Sequence, residues 1–174
     1  MPTSQENITF KPAFIERYSQ LTDFETFKAC SLTYLRKSIR VNTLKISVIE
    51  LHQRLEKNWK LTPIPWCSEG FWIEHKGTGD EKRRDVGNLL EHSLGYIYVQ
   101  EAASMIPPVV LAPEDNELIV DMCAAPGSKT TQIAQYMQNK GLLIANDMTY
   151  QRIQALGINI QRCGITKIPR PVCN

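Results

Sequence analysis

Residues 118–137 hold the pattern that most constrains this chain. Leu118, Ile119 and Val120 are apolar, and Asp121-Met122-Cys123-Ala124-Ala125-Pro126-Gly127-Ser128-Lys129-Thr130-Thr131 follows them. Ile133, Ala134 and Met137 then recur at helical spacing. A short buried strand, a turn of small residues and a helix, in that order, predict the first β-α unit of a doubly wound α/β fold. Ligands of that fold sit at the carboxyl ends of its strands. Ala124, Ala125 and Gly127 let a ligand approach the backbone closely, and the free amides at the helix start favour an anion such as a carboxylate.

Spacing separates this loop from other glycine-containing loops. A phosphate loop of the Walker type needs Gly directly before the Lys and another Gly five residues earlier, and here Ser128 and Cys123 stand at those places. A dinucleotide fingerprint needs three glycines, and only Gly127 is present. A nucleotide-dependent oxidoreductase is disfavoured on this ground. Beyond the helix, Gly141-Leu142-Leu143-Ile144-Ala145-Asn146-Asp147 reads as a second buried strand with an acid at its tip. In this architecture such an acid can accept hydrogen bonds from both hydroxyls of a ribose. Residues 150–160 follow with a helical pattern, so Asp147 also reads as a helix N-cap.

The first 112 residues have a different grain. Phe14, Tyr18, Leu21, Phe24 and Phe27 recur at helical spacing, with Asp23 placed to cap a second helix. Residues 38–45 alternate Ile39, Val41 and Thr43 against Arg40, Asn42 and Leu44, as a strand does. Ser47 caps an amphipathic helix over 48–58 carrying Ile49, Leu51 and Leu55. Residues 59–64 are extended until Pro63 and Pro65 break them; 71–74 and 96–100 read as further strands, 75–88 as a loop, and 101–111 as a short helix crossed by Pro107 and Pro108. These elements predict a small α+β domain over residues 1–112, with a nucleotide-type domain over 113–174.

Composition narrows the function classes. No apolar run approaches the roughly 18 residues of a membrane span, and residues 1–6 lack the layout of a secretory signal, so a cytoplasmic protein is expected. Cys30, Cys67, Cys123, Cys163 and Cys173 are odd in number and contain no CxxC pair, which predicts reduced, mostly buried thiols and neither zinc nor disulfides. The net charge of +2 does not announce a nucleic-acid binder, but Arg36, Lys37, Arg40 and Lys45 cluster, as do Lys82, Arg83 and Arg84. Such clusters read either as solvated faces or as RNA contacts.

Several ordered motifs together resemble the Nol1/Nop2/Sun family of RNA 5-methylcytosine methyltransferases. They are the 121–129 loop, Ala145-Asn146-Asp147 with Arg152 five residues on, and Asn159-Ile160-Gln161-Arg162-Cys163-Gly164. Arg36-Lys37-Ser38-Ile39-Arg40-Val41-Asn42-Thr43-Leu44-Lys45, Leu61-Thr62-Pro63-Ile64-Pro65-Trp66-Cys67 and Gly70-Phe71-Trp72-Ile73-Glu74 narrow the likeness to its bacterial YebU-type branch, across residues 10–168. The resemblance implies a class I, Rossmann-like domain that uses S-adenosylmethionine to methylate C5 of a cytosine in 16S rRNA, free or in the small ribosomal subunit. It implies that Cys123, Ala124, Ala125, Pro126, Gly127, Ser128 and Lys129 line the methionine end of the cofactor, with Lys129 near its carboxylate. Asp147 would take the ribose and Arg152 would lie close by, unless Arg152 is an ordinary helix-surface residue.

The family's chemistry uses a cysteine thiolate that adds at C6 of the base, and a second cysteine that assists release. Its Pro-Cys-Ser/Gly and Thr-Cys motifs do not occur in this sequence, and no catalytic cysteine is assigned. The family also continues with a third strand ending in Asp. Here Pro169 and Pro171 oppose a strand and Asn174 stands in the place of the acid. A truncated methyltransferase chain is therefore expected, binding cofactor and RNA at most, and unstable or self-associating when alone. The competing expectation is a non-catalytic RNA-binding or assembly module.

Overall fold

The computed structural model describes residues 8–77 and 85–166. Its contacts fall into two compact units, residues 1–36 and 37–174. In the first, α1 (Pro12–Ser19) starts at a proline, whose missing amide is no loss at a helix start, and α2 (Phe24–Ser31) is capped by Asp23. The Asp23 carboxylate accepts from the Thr26 amide at 2.8 Å, and hydrogen bonds from Thr26 hold its pKa below the usual value. Phe14, Tyr18 and Phe27 hold the hairpin together, with Tyr18 stacked on Phe27 at 4.7 Å and tilted against Phe14 at 4.3 Å. The helical pair expected from the sequence is present.

The second unit begins with a four-stranded antiparallel sheet in the order β2-β3-β1-β4, formed by β1 (Ser38–Val41), β2 (Trp59–Ile64), β3 (Cys67–His75) and β4 (Ile97–Val99). The prolines do not break β2 where expected. The strand runs through Pro63 with a shift of register, and Pro65 and Trp66 form the turn into β3, which starts four residues earlier than the sequence predicts. Helix α3 (Val48–Leu55) is capped by Ser47, whose Oγ accepts from the Glu50 amide at 3.1 Å. Leu51 and Leu55 of α3 enter the core with Ile39, Val41, Trp59, Phe71, Ile73 and Ile97, whereas Ile49, expected on the same face, is 72% exposed.

Successive residues of a strand point to opposite faces, so Arg40 and Tyr98 turn away from that core while Ile39 and Ile97 enter it. The opposite face is also covered. There Tyr98 packs with Ile133, Ala134, Met137, Leu143 and Cys163. β1 ends at Val41, short of the expected 38–45, and both Arg40 and Asn42, which alternate with Ile39 and Val41, are buried. Arg40 therefore leaves the solvated basic cluster; Lys82, Arg83 and Arg84 lie outside the described residues.

The chain then passes through a 3₁₀ turn at Val86–Asn88, the short helix α4 (Leu90–Ser93), β4, a 3₁₀ turn at Ala102–Met105, and α5 (Ile106–Leu111), which carries its prolines in its first turn. β5 (Leu118–Asp121) and β6 (Leu142–Ala145) pair in parallel, Asp121 opposite Ala145, with α6 (Ser128–Tyr136) crossing between them and α7 (Tyr150–Cys163) following. This is the expected β-α-β-α unit. The two strands are not buried as predicted. Ile119 and Leu143 face the helices, but Leu118 is 67% and Val120 54% exposed on the other face, where Leu142 is exposed as well.

Candidate cofactor site at the ends of the parallel strands

The loop that joins β5 to α6 is fixed from several sides. At its base, the Asp121 carboxylate accepts from the Cys123 amide at 3.2 Å and from the Thr130 hydroxyl at 2.7 Å, tying the strand end to the first turn of α6. Ala124 donates its amide to the Asn146 carbonyl at 2.9 Å, and Ala125 donates to Asp147 Oδ2 at 3.0 Å. The Pro126 carbonyl accepts from Asn159 Nδ2 at 2.8 Å and from the Tyr98 hydroxyl at 3.4 Å. Gly127 sits at φ +109°, and a Cβ there would lie 2.9 Å from Leu156 Cδ1. Left-handed backbone and close helix packing both require glycine at this point.

Asp147 stands past the tip of β6 and is 1% exposed. The N-cap of α7 is Thr149, so the alternative capping role for Asp147 does not hold. Instead its Oδ1 lies 3.1 Å from Arg152 Nη1, while Arg152 Nη2 donates to the Ala125 carbonyl at 2.7 Å. Arg152 thus spans from the acid to the loop and is not an unengaged surface residue. Two acceptors at this strand tip are buried with no hydrogen bond, Asp147 Oδ1 and Asn146 Oδ1; for the former the Arg152 contact counts as an ion pair only. Asn146 Oδ1 is left without a donor from this chain, which is costly, and a ligand hydroxyl would satisfy it beside the Asp147 carboxylate. These acceptors fit the hydroxyls of the ribose of an adenosine cofactor.

Cys123, Pro126 and Lys129 are exposed on the loop, Ser128 is half-buried at the helix start, and Ala124, Ala125 and Gly127 are buried behind them. The first amides of α6 have no partner four residues back in the helix, and the helix dipole adds to their preference for a carboxylate. The fold thus brings together every residue the sequence singled out for the cofactor. A cleft of about 420 Å³ opens at the other side of the loop, lined by Tyr98, Gln100, Glu101, Pro126, Asn159 and Arg162 among others. None of Cys123, Asp147 and Arg152 borders it.

Sequence reasoning missed two supports. Thr130 had no signal beyond its place in the helix, and Arg40 was hidden among neighbouring basic residues, between Ile39 and Val41 in an alternation that reads as a half-buried strand. The thiols divide evenly rather than being mostly buried. Cys67 and Cys163 are buried, Cys30 and Cys123 are exposed, and Cys173 lies outside the described residues. Burial pushes the Cys163 thiol up, and pushes Cys67 up to about 11, with the charge of Glu69 adding to the latter. Among the described residues no group of His, Cys, Asp and Glu is arranged to hold a metal, and no helix is long and apolar enough to cross a membrane.

The profile for the N-terminal domain of 16S rRNA methyltransferase RsmF matches residues 10–102, more than half of the chain. The chain belongs to the RsmF family. A second profile, 16S rRNA methyltransferase RsmB/F, matches residues 108–171. Ribosomal RNA small subunit methyltransferase F of Photobacterium profundum is 48% identical over 160 residues, 90% of this chain and 33% of that protein. The Vibrio cholerae protein of the same name is 46% identical, over 91% of the chain and 34% of its own length. A tRNA (cytosine(49)-C(5))-methyltransferase of Pyrococcus abyssi is 52% identical over 87% of the chain and 47% of its length. This RsmF-family chain thus spans about a third of the RsmF relatives. Among solved structures, a methyltransferase homologue from Pyrococcus horikoshii superposes with a TM-score of 0.74 at 31% identity, covering 95% of this chain and 57% of that one. NSun6 from Pyrococcus horikoshii, at 23% identity, shares the fold with a TM-score of 0.79, over 94% of this chain and 65% of that one.

Proposed function

We propose that this chain is the S-adenosylmethionine-binding and RNA-facing part of a 16S rRNA cytosine-C5 methyltransferase, acting in the cytoplasm on the small-subunit RNA. The observation that carries the reading is the buried Asp147 at the tip of a parallel strand, joined to the 123–129 loop through Arg152 and the Ala125 amide. In this reading Asp147 and Asn146 accept from the ribose hydroxyls, the first amides of α6 and Lys129 receive the carboxylate, and Ala124, Ala125 and Gly127 leave room for the methionine chain. When bound, the cofactor supplies the methyl group. The residues of this chain hold and orient it, and no thiol of the chain is assigned to activate the base, since the family's Pro-Cys-Ser/Gly and Thr-Cys motifs do not occur in this sequence and Cys67 and Cys163 are buried with raised thiols. Residues 1–112 serve as the accessory, RNA-facing domain and 113–174 as the cofactor domain.

A second reading, tRNA as substrate, draws on the 52% identity to the archaeal tRNA enzyme. The RsmF profile over residues 10–102 favours the ribosomal substrate, since that region is the one set apart from the cofactor loop. Filter binding of the chain to 16S rRNA and to tRNA across a salt series tests the choice. A preference for 16S rRNA that persists at raised salt is expected. Equal or tighter binding to tRNA would reverse it.

A further inference from the structure

Arg40 lies on β1, an inner strand of the antiparallel sheet, yet every hydrogen bond of its side chain leaves the sheet's strands. It is 0% exposed. Its Nη1 donates to the Ser128 carbonyl at 2.7 Å and to Gln100 Oε1, its Nη2 to Thr131 Oγ1 at 2.9 Å, and its Nε to Gln135 Oε1 at 3.2 Å. Three of these four acceptors belong to α6, and Ser128 is that helix's first residue. Gln100, the fourth, donates through Nε2 to Gln132 Oε1 at 2.9 Å, closing the network onto the same helix. The guanidinium also lies 5.4 Å from the centre of the Tyr98 ring, whose hydroxyl donates to the Pro126 carbonyl.

Among the described residues Arg40 has no ion-pair partner. Burial opposes the charge of Arg40, the buried Glu69 carboxylate offsets part of that cost without forming an ion pair, and an apolar residue of similar size would stabilise the packing at least as well. What an apolar residue cannot do is fix the rotation and height of α6. A planar fork with five donors can, because its bonds to Ser128, Thr131 and Gln135 specify both.

We infer that Arg40 is a positioning residue for the cofactor loop: from the accessory sheet it holds the first turn of α6, and with it Gly127, Ser128 and Lys129, in the geometry that receives the ligand carboxylate. This rests on the cofactor reading above, and one arm of its test does not need the cofactor.

The test compares the full chain with Arg40→Met and Arg40→Lys, using Leu51→Ala as a control that opens a cavity in the α3 core on the far face of the sheet. Amide hydrogen exchange is read over residues 124–135, and S-adenosylhomocysteine affinity by calorimetry, both where circular dichroism shows each variant folded. Arg40→Met is expected to speed exchange in that segment and weaken the ligand, each by about tenfold or more, while Leu51→Ala leaves both near the parent values. Arg40→Lys, which keeps the charge but not the fork, is expected to fall with Arg40→Met; it decides the matter if Arg40→Met does not fold. Unchanged exchange over 124–135 in the Arg40 variants, or an equal rise in Leu51→Ala, would overturn the inference. If the parent chain binds no ligand, the cofactor reading fails while the exchange comparison still decides the role of Arg40.

Discussion

At the strand tip Asp147 and Arg152 form an ion pair; the acid was legible from its place after an apolar strand, Arg152 only from the family resemblance. Asp147 closes an apolar strand, and Arg152 follows five residues later, one helical turn into α7. The thiols were less legible. The sequence predicts mostly buried thiols, whereas exposure depends on which side of a loop or helix a residue occupies in the assembled chain. Mass-mapped alkylation at pH 8 is expected to modify Cys30 and Cys123 and to spare Cys67 and Cys163. Cys67 also sets a pH dependence. Its folded thiol is raised from 9.0 to about 11, so between those values the folded state holds a proton that the unfolded state has lost. Stability through this group is complete below pH 9 and falls as pH rises to about 11. Chemical denaturation at stepped pH should show that fall, and Cys67→Ala should make it shallower.

The elements themselves followed local chemistry closely. Asp23 and Ser47 start α2 and α3 as cap residues do, and the small-residue turn after β5 opens α6. The errors have a common cause. Residues 38–42 look amphipathic by alternation, but the sheet is covered by α3 on one side and α6 on the other, so Arg40 and Asn42 are buried in a polar layer that no local pattern announces. The hairpin at residues 59–75 was cut short because proline was taken as a stop, although β2 lies at the edge of the sheet, where proline costs less. At this scale the loop makes a sharp prediction. Gly127→Ala adds a methyl group 2.9 Å from Leu156 Cδ1 at a left-handed position. A loss of about 1–3 kcal/mol in denaturant unfolding is expected, with cofactor affinity falling further than stability.

Across the whole molecule, the expected self-association has a physical basis in the exposed face of the parallel pair among the described residues. Leu118, Val120, Met122 and Leu142 are exposed there, while the other face of the same strands is packed against α6 and α7. A contiguous apolar strip beside parallel strand edges favours association. Sedimentation velocity of the chain is expected to show a mass that rises with concentration, and Leu118→Lys with Val120→Lys should reduce that rise. A concentration-independent monomer would contradict it. The account stands or falls on the strand tip itself, and calorimetric titration of the chain with S-adenosylhomocysteine tests it most directly. Saturable one-to-one binding is predicted, weakened by about tenfold or more in Asp147→Ala. No binding by the folded parent chain, or binding that Asp147→Ala leaves unchanged, would contradict it.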